Sequence, residues 1–306
     1  MLVHQEQAGL FPTRPKLADI HNDAHLIEMW LKERERRSKE SLRAYDRDIR
    51  RFLTFVEGKA IAAVNYNDLQ AYQSALEDNG YSRATVNRLM ASVKSVLSYG
   101  HKLGYLPFNV GAVVKLSDPK NTLANRILDV MQVMTIITLE TNPRNKLILH
   151  FLYASAGRVS EVCNLTWSDL KAVGDRGQVT FYGKGEKTRN VPINKRVWDA
   201  LQASKPEGAL DSDPIFLSRK HRHKGSPTNG GIRPNQVREI VKLAGERAGI
   251  KGVSCHWFRH SHASHALDNG ASLQLVKESL GHSSVTITER YLHAKPSDGS
   301  SLHLPF

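Results

Sequence analysis

The side chains best suited to chemistry in this sequence lie close together near its C-terminal end. Residues 253–293 include His256, Arg259, His282 and Tyr291. A tyrosine is a weak nucleophile at its ordinary pKa of about 10, so it needs a proton acceptor and a positively charged setting. An arginine fork can hold the equatorial oxygens of a pentacovalent phosphate. The combination favours attack of a tyrosine oxygen on a phosphodiester.

Helix signals place these four side chains where they can meet. Ser254 and Ser272 are suited to cap two amphipathic helices, and Ser283 or Ser284 a third. The pair Asn269-Gly270 separates the first two helices. The chemical side chains therefore fall at helix ends and on helix faces that can line one cleft. Each of them alone is more often an ordinary packed or solvated residue, so the interpretation depends on the set.

Length and charge indicate two domains and a polyanionic partner. The chain has 306 residues, and its 43 Lys and Arg against 30 acids give a net charge of +13. Such a surplus is typical of proteins that bind nucleic-acid phosphates, and a merely basic soluble protein is the alternative. The two cysteines are too few for a disulfide framework and favour a reducing cytosol. We expect no membrane span, because no apolar run reaches about 18 residues, and no signal peptide, because the N-terminal residues lack an apolar core.

The first half of the chain predicts a helical bundle at residues 20–106, after a flexible lead-in at residues 1–19. Asn67 and Ser82 are the predicted N-caps of its third and fourth helices. The first helix is expected to bury Ile20, Ala24, Ile27 and Leu31. The fourth is expected to bury Val86, Leu89, Met90, Val93 and Leu97.

Two helices of this bundle carry basic stripes opposite the expected core. In the second helix Asp46 and Asp48 are interleaved, so internal ion pairs compete with the interpretation of a binding face. The fourth helix has no acid between Arg83 and Gly104, which weakens that alternative. The side chains expected to face outward are Arg43, Arg47, Arg83, Thr85, Arg88 and Lys94.

A linker at residues 107–125 leads to a second domain at residues 126–296 and a tail at residues 297–306. Alternating residues at 178–193 predict a β-hairpin with Lys184 at its glycine-flanked tip. The basic loop at residues 218–233 is expected to be mobile and to meet phosphates, and a merely solvated loop is nearly as good an interpretation. Asn142 is the predicted N-cap of a helix that begins at Pro143. A further helix is expected to begin at Arg158 and to continue through residues 161–170. Other helices are expected at residues 128–139, near residues 197–201 and at residues 234–248.

Arg158 follows directly on a strongly apolar helix, where a charge is costly unless it faces a cleft and has a partner. Glu161 is three residues further on and is placed to orient it. A structural Arg–Glu pair between two helices is the competing interpretation. A lysine in a turn is usually solvated, but Lys184 on a flexible finger could reach a cleft and donate a proton.

The order of these residues and the sequence around them resemble the tyrosine recombinases of the phage integrase family. The matching strings are AGRVSE, YGKGEKTRNVP, HWFRHSHASHALDNGAS and LGHSSVTITERY, which carry Arg158, Lys184, His256, Arg259, His282 and Tyr291. The strings SKESLRAYDRDI and SRATVNRLMASVKSVL resemble the DNA-facing helices of that family's SAM-like core-binding domain. Compactness and the LGHSS string favour the Xer-like branch. The implied fold is mainly α with a small β-hairpin or sheet: a helical core-binding domain and an α+β catalytic domain.

The resemblance implies a site-specific recombinase that cuts and rejoins DNA through a 3′-phosphotyrosyl intermediate. Tyr291 would attack the DNA phosphate. Arg158 and Arg259 would hold its non-bridging oxygens, and His282 would hydrogen-bond the same phosphate. The outward-facing basic residues of the first domain would bind the duplex.

The resemblance also implies the supporting roles and the partners. His256 would transfer protons near the nucleophile, Lys184 would protonate the leaving 5′-oxygen, and Glu161 would support Arg158. The covalent bond conserves phosphodiester energy, so the chemical step would need no ATP, cofactor or metal. The partners would be double-stranded DNA with a specific site and a homo- or hetero-tetramer, in the cytoplasm at the nucleoid and away from membranes.

Two features depart from the family pattern. Gly157 stands where a larger apolar residue is usual before the first arginine, and Phe258 stands where Leu is commoner. The tail is rich in Ser, Gly and Pro, which argues against a long C-terminal helix. We expect Leu302, Leu304 and Phe306 to form a short apolar plug for an adjacent protomer.

Three other interpretations compete with a recombinase. His256, His260, His262, His265 and Cys255 suggest a zinc site, although no second cysteine or nearby carboxylate completes a familiar ligand set. A type IB topoisomerase-like enzyme would use the same residues to nick and relax DNA without exchanging partners. A DNA-binding regulator that does not cut is the non-enzymatic alternative, and the intact set of six argues against it.

Overall fold

The computed structural model describes residues 19–34, 39–116, 123–183, 188–218, 230–282, 284–289 and 291. The chain divides into two compact units, Met1–Lys120 and Asn121–Phe306. The described residues are mainly helical, with one three-stranded antiparallel sheet in the second unit, so the expected fold class is confirmed. Among these residues, no helix combines the length and the apolar character needed to cross a membrane.

The described part of the first unit contains four α-helices that pack around one apolar core. Ser82 caps the fourth helix, as predicted, by accepting a hydrogen bond from the backbone N–H of Thr85. The predicted cap Asn67 is wrong: Asn65 caps the third helix, because Asn65 and Asp68 bond each other's backbone N–H in a capping box. The helices are α1 (Asp23–Lys32), α2 (Lys39–Phe55), α3 (Tyr66–Asp78) and α4 (Arg83–Lys102).

In the core of this unit, α1 is rotated about its axis relative to the prediction, so a different face of the helix is buried. Helix α1 buries Leu26 and Trp30 completely, whereas Ala24 is exposed. The large indole needs the deepest place, so it sets which face of the helix turns inward. The other predicted members, Ile20, Ile27 and Leu31, are partly buried at the edge of the core. The predicted inward residues of α4, namely Val86, Leu89, Met90, Val93 and Leu97, are all buried.

The first half of the expected linker belongs to the first unit. Val114 is buried in its core, and a 3-10 helix at Val110–Val113 packs against α4. Residues 117–122, in the second half, lie outside the described residues.

The second unit is organised around α6, which is buried along most of its length. Asn142 caps it and Pro143 is its first residue, as predicted. Its helices in the described ranges are α5 (Val130–Thr138), α6 (Pro143–Ser155), α7 (Val159–Cys163), α8 (Lys195–Ser204), α9 (Pro234–Arg247), α10 (Cys255–Asp268), α11 (Leu273–Leu280) and α12 (Val285–Glu289).

The long helix expected after Arg158 is wrong beyond Cys163. The backbone is extended there, because the carbonyl of Leu165 accepts a hydrogen bond from the N–H of Ile215 and Thr166 pairs with Pro214. A short 3-10 helix at Trp167–Asp169 follows and leads into strand β1 (Leu170–Val173), so α7 does not continue to residue 170.

The predicted hairpin is confirmed and is extended by β1 into a sheet. Strands β2 (Arg176–Tyr182) and β3 (Thr188–Ile193) are antiparallel, with Val179 opposite Val191, and β1 pairs with the other edge of β2. One face of the hairpin buries Val179, Phe181, Val191 and Ile193 in the core around α6. The sheet thereby holds β3 beside α11, where the functional side chains gather.

Candidate active site

The end of helix α6 delivers Arg158 to the site. The helix stops at Ala156, which takes the left-handed conformation with φ 50°, and Arg158 then caps the start of α7. The guanidinium donates from Nη1 to Glu161 Oε1 at 2.9 Å and from Nη2 to the carbonyl of Gly281 at 3.3 Å. Its side chain remains 40% exposed. Arg158 is therefore oriented by two contacts and still open on one side.

Glu161 is held by two arginines, of which sequence reasoning identified only one. Its carboxylate accepts from the backbone N–H of Arg158 at 2.8 Å and from both terminal nitrogens of Arg189 at 2.9 and 2.6 Å. Burial alone raises the pKa of Glu161, but the hydrogen bonds from the Arg189 side chain and the Arg158 backbone outweigh it and lower the pKa to about 2. The carboxylate is therefore charged at every physiological pH, and Arg189 is a missed member of the site.

Arg259 lies on α10 and is almost completely buried, with 5% of its surface exposed. Its guanidinium donates to the carbonyl oxygens of Ala156 and Leu280. Burial lowers the pKa of Arg259 to about 10, and the positive charges of Arg158 and Arg189 act in the same direction. The group stays protonated at neutral pH, so the site concentrates positive charge beside a single carboxylate.

Tyr291 is buried, with 5% of its surface exposed, in a small apolar cluster with Ala156, Ala263, Val276 and Leu280. The cluster places its ring between two imidazoles. The sequence gives no signal for this cluster, because its side chains come from separate parts of the chain.

His260 is the imidazole hydrogen-bonded to the phenol, with 2.8 Å between its Nδ1 and the Tyr291 oxygen. The ring of His282 lies parallel to the tyrosine ring, with centroids 6.4 Å apart and 7° between planes. His256, which was expected to serve the nucleophile, stacks on His260 at 6.2 Å between centroids. His260 appeared in the sequence only as a candidate zinc ligand, and no spacing in the sequence pointed to its contact with Tyr291.

The turn at residues 280–282 brings the two arginines and the third histidine together. Leu280 and Gly281 supply carbonyl oxygens to Arg259 and Arg158 respectively. Gly281 has φ 63°, a conformation that favours glycine, and it ends α11. His282 follows, with its Nδ1 2.9 Å from the hydroxyl of Thr288. One short segment thus sets the relative positions of three predicted site residues.

The pKa values of the site histidines are all lowered. Burial is the largest cause for His256, His260 and His282, and the positive charge of Arg259 adds to it in each case. The pKa falls to about 4 for both His260 and His282. These imidazoles are neutral at pH 7, so each has one nitrogen able to accept a proton.

The other residues suggested as zinc ligands, His262, His265 and Cys255, are not arranged to bind a metal ion together. His262 and His265 hydrogen-bond the backbone carbonyl and the hydroxyl of Tyr153, at 2.7 and 2.8 Å. Cys255 is buried, and burial raises the pKa of its thiol to about 11, away from the thiolate that zinc prefers. Within the described ranges, no three His, Cys, Asp or Glu side chains are grouped to hold a metal ion.

Three predicted features lie outside the described residues. They are Lys184 at the hairpin tip, residues 219–229 of the basic loop, and the tail with Leu302, Leu304 and Phe306.

The basic helices of the first unit are paired more extensively than the sequence suggested. Asp48 of α2 is 2% exposed and accepts hydrogen bonds from Arg88 and Ser92 of α4. Arg88 nevertheless remains half exposed, at 51% of its side chain. Lys94 donates to the carbonyl of Val114. Thr85 bonds Ser82, while Arg43, Arg47 and Arg83 are exposed.

Comparison with known proteins gives a consistent family. The phage integrase family model matches residues 123–298, and the model of the phage integrase N-terminal SAM-like domain matches residues 27–102. A tyrosine recombinase XerC from Corynebacterium efficiens is 33% identical, over 84% of this chain and 82% of its own length. A tyrosine recombinase XerD from Bifidobacterium longum is 31% identical, over 83% of this chain and 86% of its own length.

Solved structures share the fold. The Tn1549 transposon integrase in complex with circular intermediate DNA superposes with a TM-score of 0.71 at 18% identity, covering 92% of this chain and 98% of that one. A lambda integrase dimer bound to a COC′ core site gives 0.72 at 14% identity, with coverage of 91% and 98%. This chain therefore has the same fold as these two integrases.

The chain belongs to the phage integrase family of tyrosine recombinases. Its curated relatives place it in the Xer-like branch, and its activity is that of a tyrosine site-specific recombinase. The resemblance noted from the sequence motifs is confirmed.

Proposed function

We propose that Tyr291 is the residue through which this recombinase becomes joined to DNA. The phenol oxygen attacks a backbone phosphorus, the bond from phosphorus to the 5′-oxygen breaks, and a 3′-phosphotyrosyl link and a free 5′-hydroxyl result. A 5′-hydroxyl from a second duplex reverses the reaction on a new partner. Each step exchanges one phosphodiester for another, so the energy of the bond is kept and no ATP is consumed.

The observation that carries this proposal is the meeting of Arg158, Arg259 and Tyr291 around the turn at residues 280–282. Arg158 and Arg259 hold the non-bridging oxygens of the phosphate and stabilise the charge that develops there. His282 hydrogen-bonds the same phosphate beside the tyrosine ring.

The remaining site residues support this core. His256 assists proton transfer near the nucleophile, and Lys184 protonates the leaving 5′-oxygen from the tip of the β2–β3 hairpin. Glu161 orients Arg158, with which it shares two hydrogen bonds.

The partner is double-stranded DNA carrying a specific site. The first unit grips the duplex through its basic helices α2 and α4, and the net charge of +13 supports the interaction. Fold neighbours were solved on DNA, including XerH recombinase bound to difH substrate. Four protomers, identical or of two kinds, hold two duplexes at the nucleoid, and the apolar residues of the tail join adjacent protomers. The residues proposed to contact DNA are Arg43, Arg47, Arg83, Thr85, Arg88 and Lys94.

Trapping on a nicked DNA site tests the nucleophile. Sequencing DNA bound by the protein in its host supplies that site. The parent should form a covalent protein–DNA adduct that resists denaturant, and Tyr291→Phe should form none while binding DNA equally well. Tyr66→Phe, an exposed tyrosine of the first unit, is the matched control and should behave as the parent. A parent that binds the site without forming an adduct, or an adduct with Tyr291→Phe, overturns the proposal.

A pair of assays separates recombination from simple relaxation. A recombinase exchanges strands between two DNA molecules that each carry the site. A topoisomerase-like enzyme relaxes supercoiled DNA that has no site. Exchange without site-independent relaxation supports the proposal, and the reverse pattern contradicts it.

A further inference from the structure

The hydroxyl of the proposed nucleophile is engaged by a histidine outside the six motif residues. His260 directly follows Arg259 on α10, and its Nδ1 lies 2.8 Å from the Tyr291 oxygen. The two rings are 5.7 Å apart with 46° between their planes. A proton acceptor must lie within about 2.6–3.2 Å of the atom it deprotonates, and His260 meets that requirement.

We propose that His260 is a catalytic residue that takes the proton of Tyr291 as its oxygen attacks the phosphate, an inference that rests on the proposed function of Tyr291. The O–H bond of the phenol breaks, an N–H bond forms at Nδ1, and the phenol oxygen forms the new bond to phosphorus. In the reverse step the imidazolium returns that proton to the departing tyrosine. The 5′-oxygen receives its proton from another group, so the two proton transfers are separate.

The surroundings keep His260 ready to accept a proton. Its pKa is lowered to about 4, mainly by burial and then by His256, Arg259 and Arg126 in that order. His256 and Arg259 share helix α10, Arg126 comes from the 3-10 helix at Ala124–Arg126, and Tyr291 contacts the ring. His260 is therefore neutral before DNA binds. A bound phosphate adds negative charge to the site, which favours the imidazolium and strengthens the base.

The neighbouring imidazoles are less well placed for this transfer. His282 presents the flat face of its ring to Tyr291, and its Nδ1 is 2.9 Å from the Thr288 hydroxyl. His256 is more exposed than His260 and stacks on the ring of His260, with 6.2 Å between ring centroids. Its place fits a role after the first transfer, nearer to solvent.

The direct test replaces His260 by Asn, whose side-chain oxygen can still accept a hydrogen bond near the Nδ1 position but is not a base. Single-turnover cleavage of the nicked site by His260→Asn should be slower by about 10²–10⁴-fold, the usual contribution of a general base. DNA affinity and thermal unfolding should stay close to the parent. The matched control is His150→Asn, a partly buried histidine on α6 near Arg196 and Lys146, which should cleave at the parent rate.

The pH dependence of cleavage shows whether His260 acts as a base or only positions Tyr291. Without the base, the reaction depends on the fraction of phenolate, so the rate of His260→Asn should rise about tenfold per pH unit from pH 7 to pH 9. The parent should change far less over that range. Parallel profiles would show that His260 only positions the tyrosine, and the proposal would be wrong. His260→Gln provides the same profile if the Asn variant unfolds.

A second substrate tells the two proton transfers apart. Replacing the bridging 5′-oxygen by sulfur gives a thiolate leaving group that departs without a proton. This substrate should not restore the cleavage rate of His260→Asn. A restored rate would overturn the assignment of His260 as the base for Tyr291. The outcomes also separate the two proposals. If Tyr291→Phe still cleaves, the proposed nucleophile fails. If Tyr291→Phe is inactive and His260→Asn matches the parent, only the present inference fails.

Discussion

Arg189 on β3 holds both carboxylate oxygens of Glu161 on α7, with contacts of 2.9 and 2.6 Å. Its Nε donates to the carbonyl of Ser279 at 2.9 Å, and its guanidinium lies 4.6 Å from the centre of the Phe181 ring. One side chain thus ties the sheet to α7 and α11. Because Glu161 also orients Arg158, the geometry of the proposed phosphate site depends on an arginine that need not touch DNA.

Arg189→Met should damage both stability and catalysis. Arg189 and Glu161 are 10% and 8% exposed, and breaking a buried pair typically costs about 3–5 kcal/mol. Glu161 keeps its hydrogen bonds from Arg158, so we expect a loss at the lower end of that range. We expect urea unfolding of the second unit at lower concentration. Cleavage should slow at saturating DNA, since Arg158 loses its support. Arg189→Lys should recover only part of either property, because an ammonium cannot grip two oxygens as a fork does.

Lys195→Met is the matched control for that experiment. It removes a pair with Asp199 at 2.6 Å in the same unit, but both side chains are more than half exposed, at 60% and 55%. Little change in unfolding is expected. Equal losses in the two variants would contradict the importance assigned to the buried pair.

Glu161 should make the second unit sensitive to strong acid. Its pKa falls from 4.5 to about 2 in the folded protein, so the unfolded chain binds the proton more tightly. The stabilisation is present above pH 4.5 and disappears as the pH falls towards 2, with a total on the order of 3 kcal/mol. Glu161→Gln should flatten the curve of unfolding free energy against pH in this window. An unchanged slope would contradict the assignment.

The lowered pKa of His282 should cause a loss of stability at a higher pH than that caused by Glu161. The folded pKa of His282 is about 4, below the ordinary 6.5, so protonation favours the unfolded chain. Its contribution is complete above pH 6.5 and is lost as the pH falls towards 4. His282→Asn, which can keep a hydrogen bond to Thr288, should reduce the loss of stability between those values. Thermal unfolding at half-unit pH intervals measures it, and an identical profile for parent and variant would argue against the lowered pKa.

Ala156→Gly and Gly157→Ala should change the stability of the protein in opposite directions. Ala156 has φ 50°, which costs a non-glycine residue about 1 kcal/mol, so Ala156→Gly should stabilise the protein by that order. A Cβ on Gly157 would lie 2.7 Å from Phe181 and 2.8 Å from Val162, so Gly157→Ala should destabilise by about 1–3 kcal/mol. Chemical unfolding of both variants measures this. Destabilisation by Ala156→Gly would show that the turn needs the methyl group.

The departure at Gly157 has a structural cause that the sequence did not reveal. Phe181 fills the space that a larger residue before Arg158 would need, and Phe181 in turn lies under Arg189. Gly157 in the turn between α6 and α7, Phe181 on β2 and Arg189 on β3 are therefore matched to one another. Only the folded arrangement shows that the three positions form one packing unit.

Local signals predicted the elements that depend on local contacts. The cap at Ser82, the Asn142-Pro143 start of α6 and the alternation of β2 and β3 were all correct, because each is decided within a few residues. Strand β1 was missed because it has four residues, only partial burial and a partner on another strand.

The contacts of His260 and Arg189 were missed for the same physical reason. His260 meets Tyr291 31 residues away in sequence, and Arg189 meets Glu161 28 residues away. Neither has a spacing that indicates its partner. The motif residues could be recognised as a set, but the side chains that hold them in place become visible only when the chain is folded.

Arg88 and Arg83 should behave differently although both were predicted to bind DNA from α4. Arg88 is the partner of Asp48, which is 2% exposed, whereas Arg83 is exposed. Removing one phosphate contact should lower the slope of log affinity against log salt by about 0.9 in either variant. Arg88→Met should in addition lower the unfolding free energy of the first unit by about 3 kcal/mol, because Asp48 stays buried with only Ser92 to bond it.

Arg83→Met should leave unfolding unchanged, so the pair of variants separates a DNA contact from a structural ion pair. Replacing both Asp48 and Arg88, as Asp48→Asn with Arg88→Met, should recover much of the lost stability because no buried charge remains, while the weaker DNA binding persists. If Arg88→Met lost stability but bound DNA with the parent's affinity and salt dependence, Arg88 would be an internal partner of Asp48 alone. The binding face of α4 would then begin at Arg83 and exclude the middle of the helix.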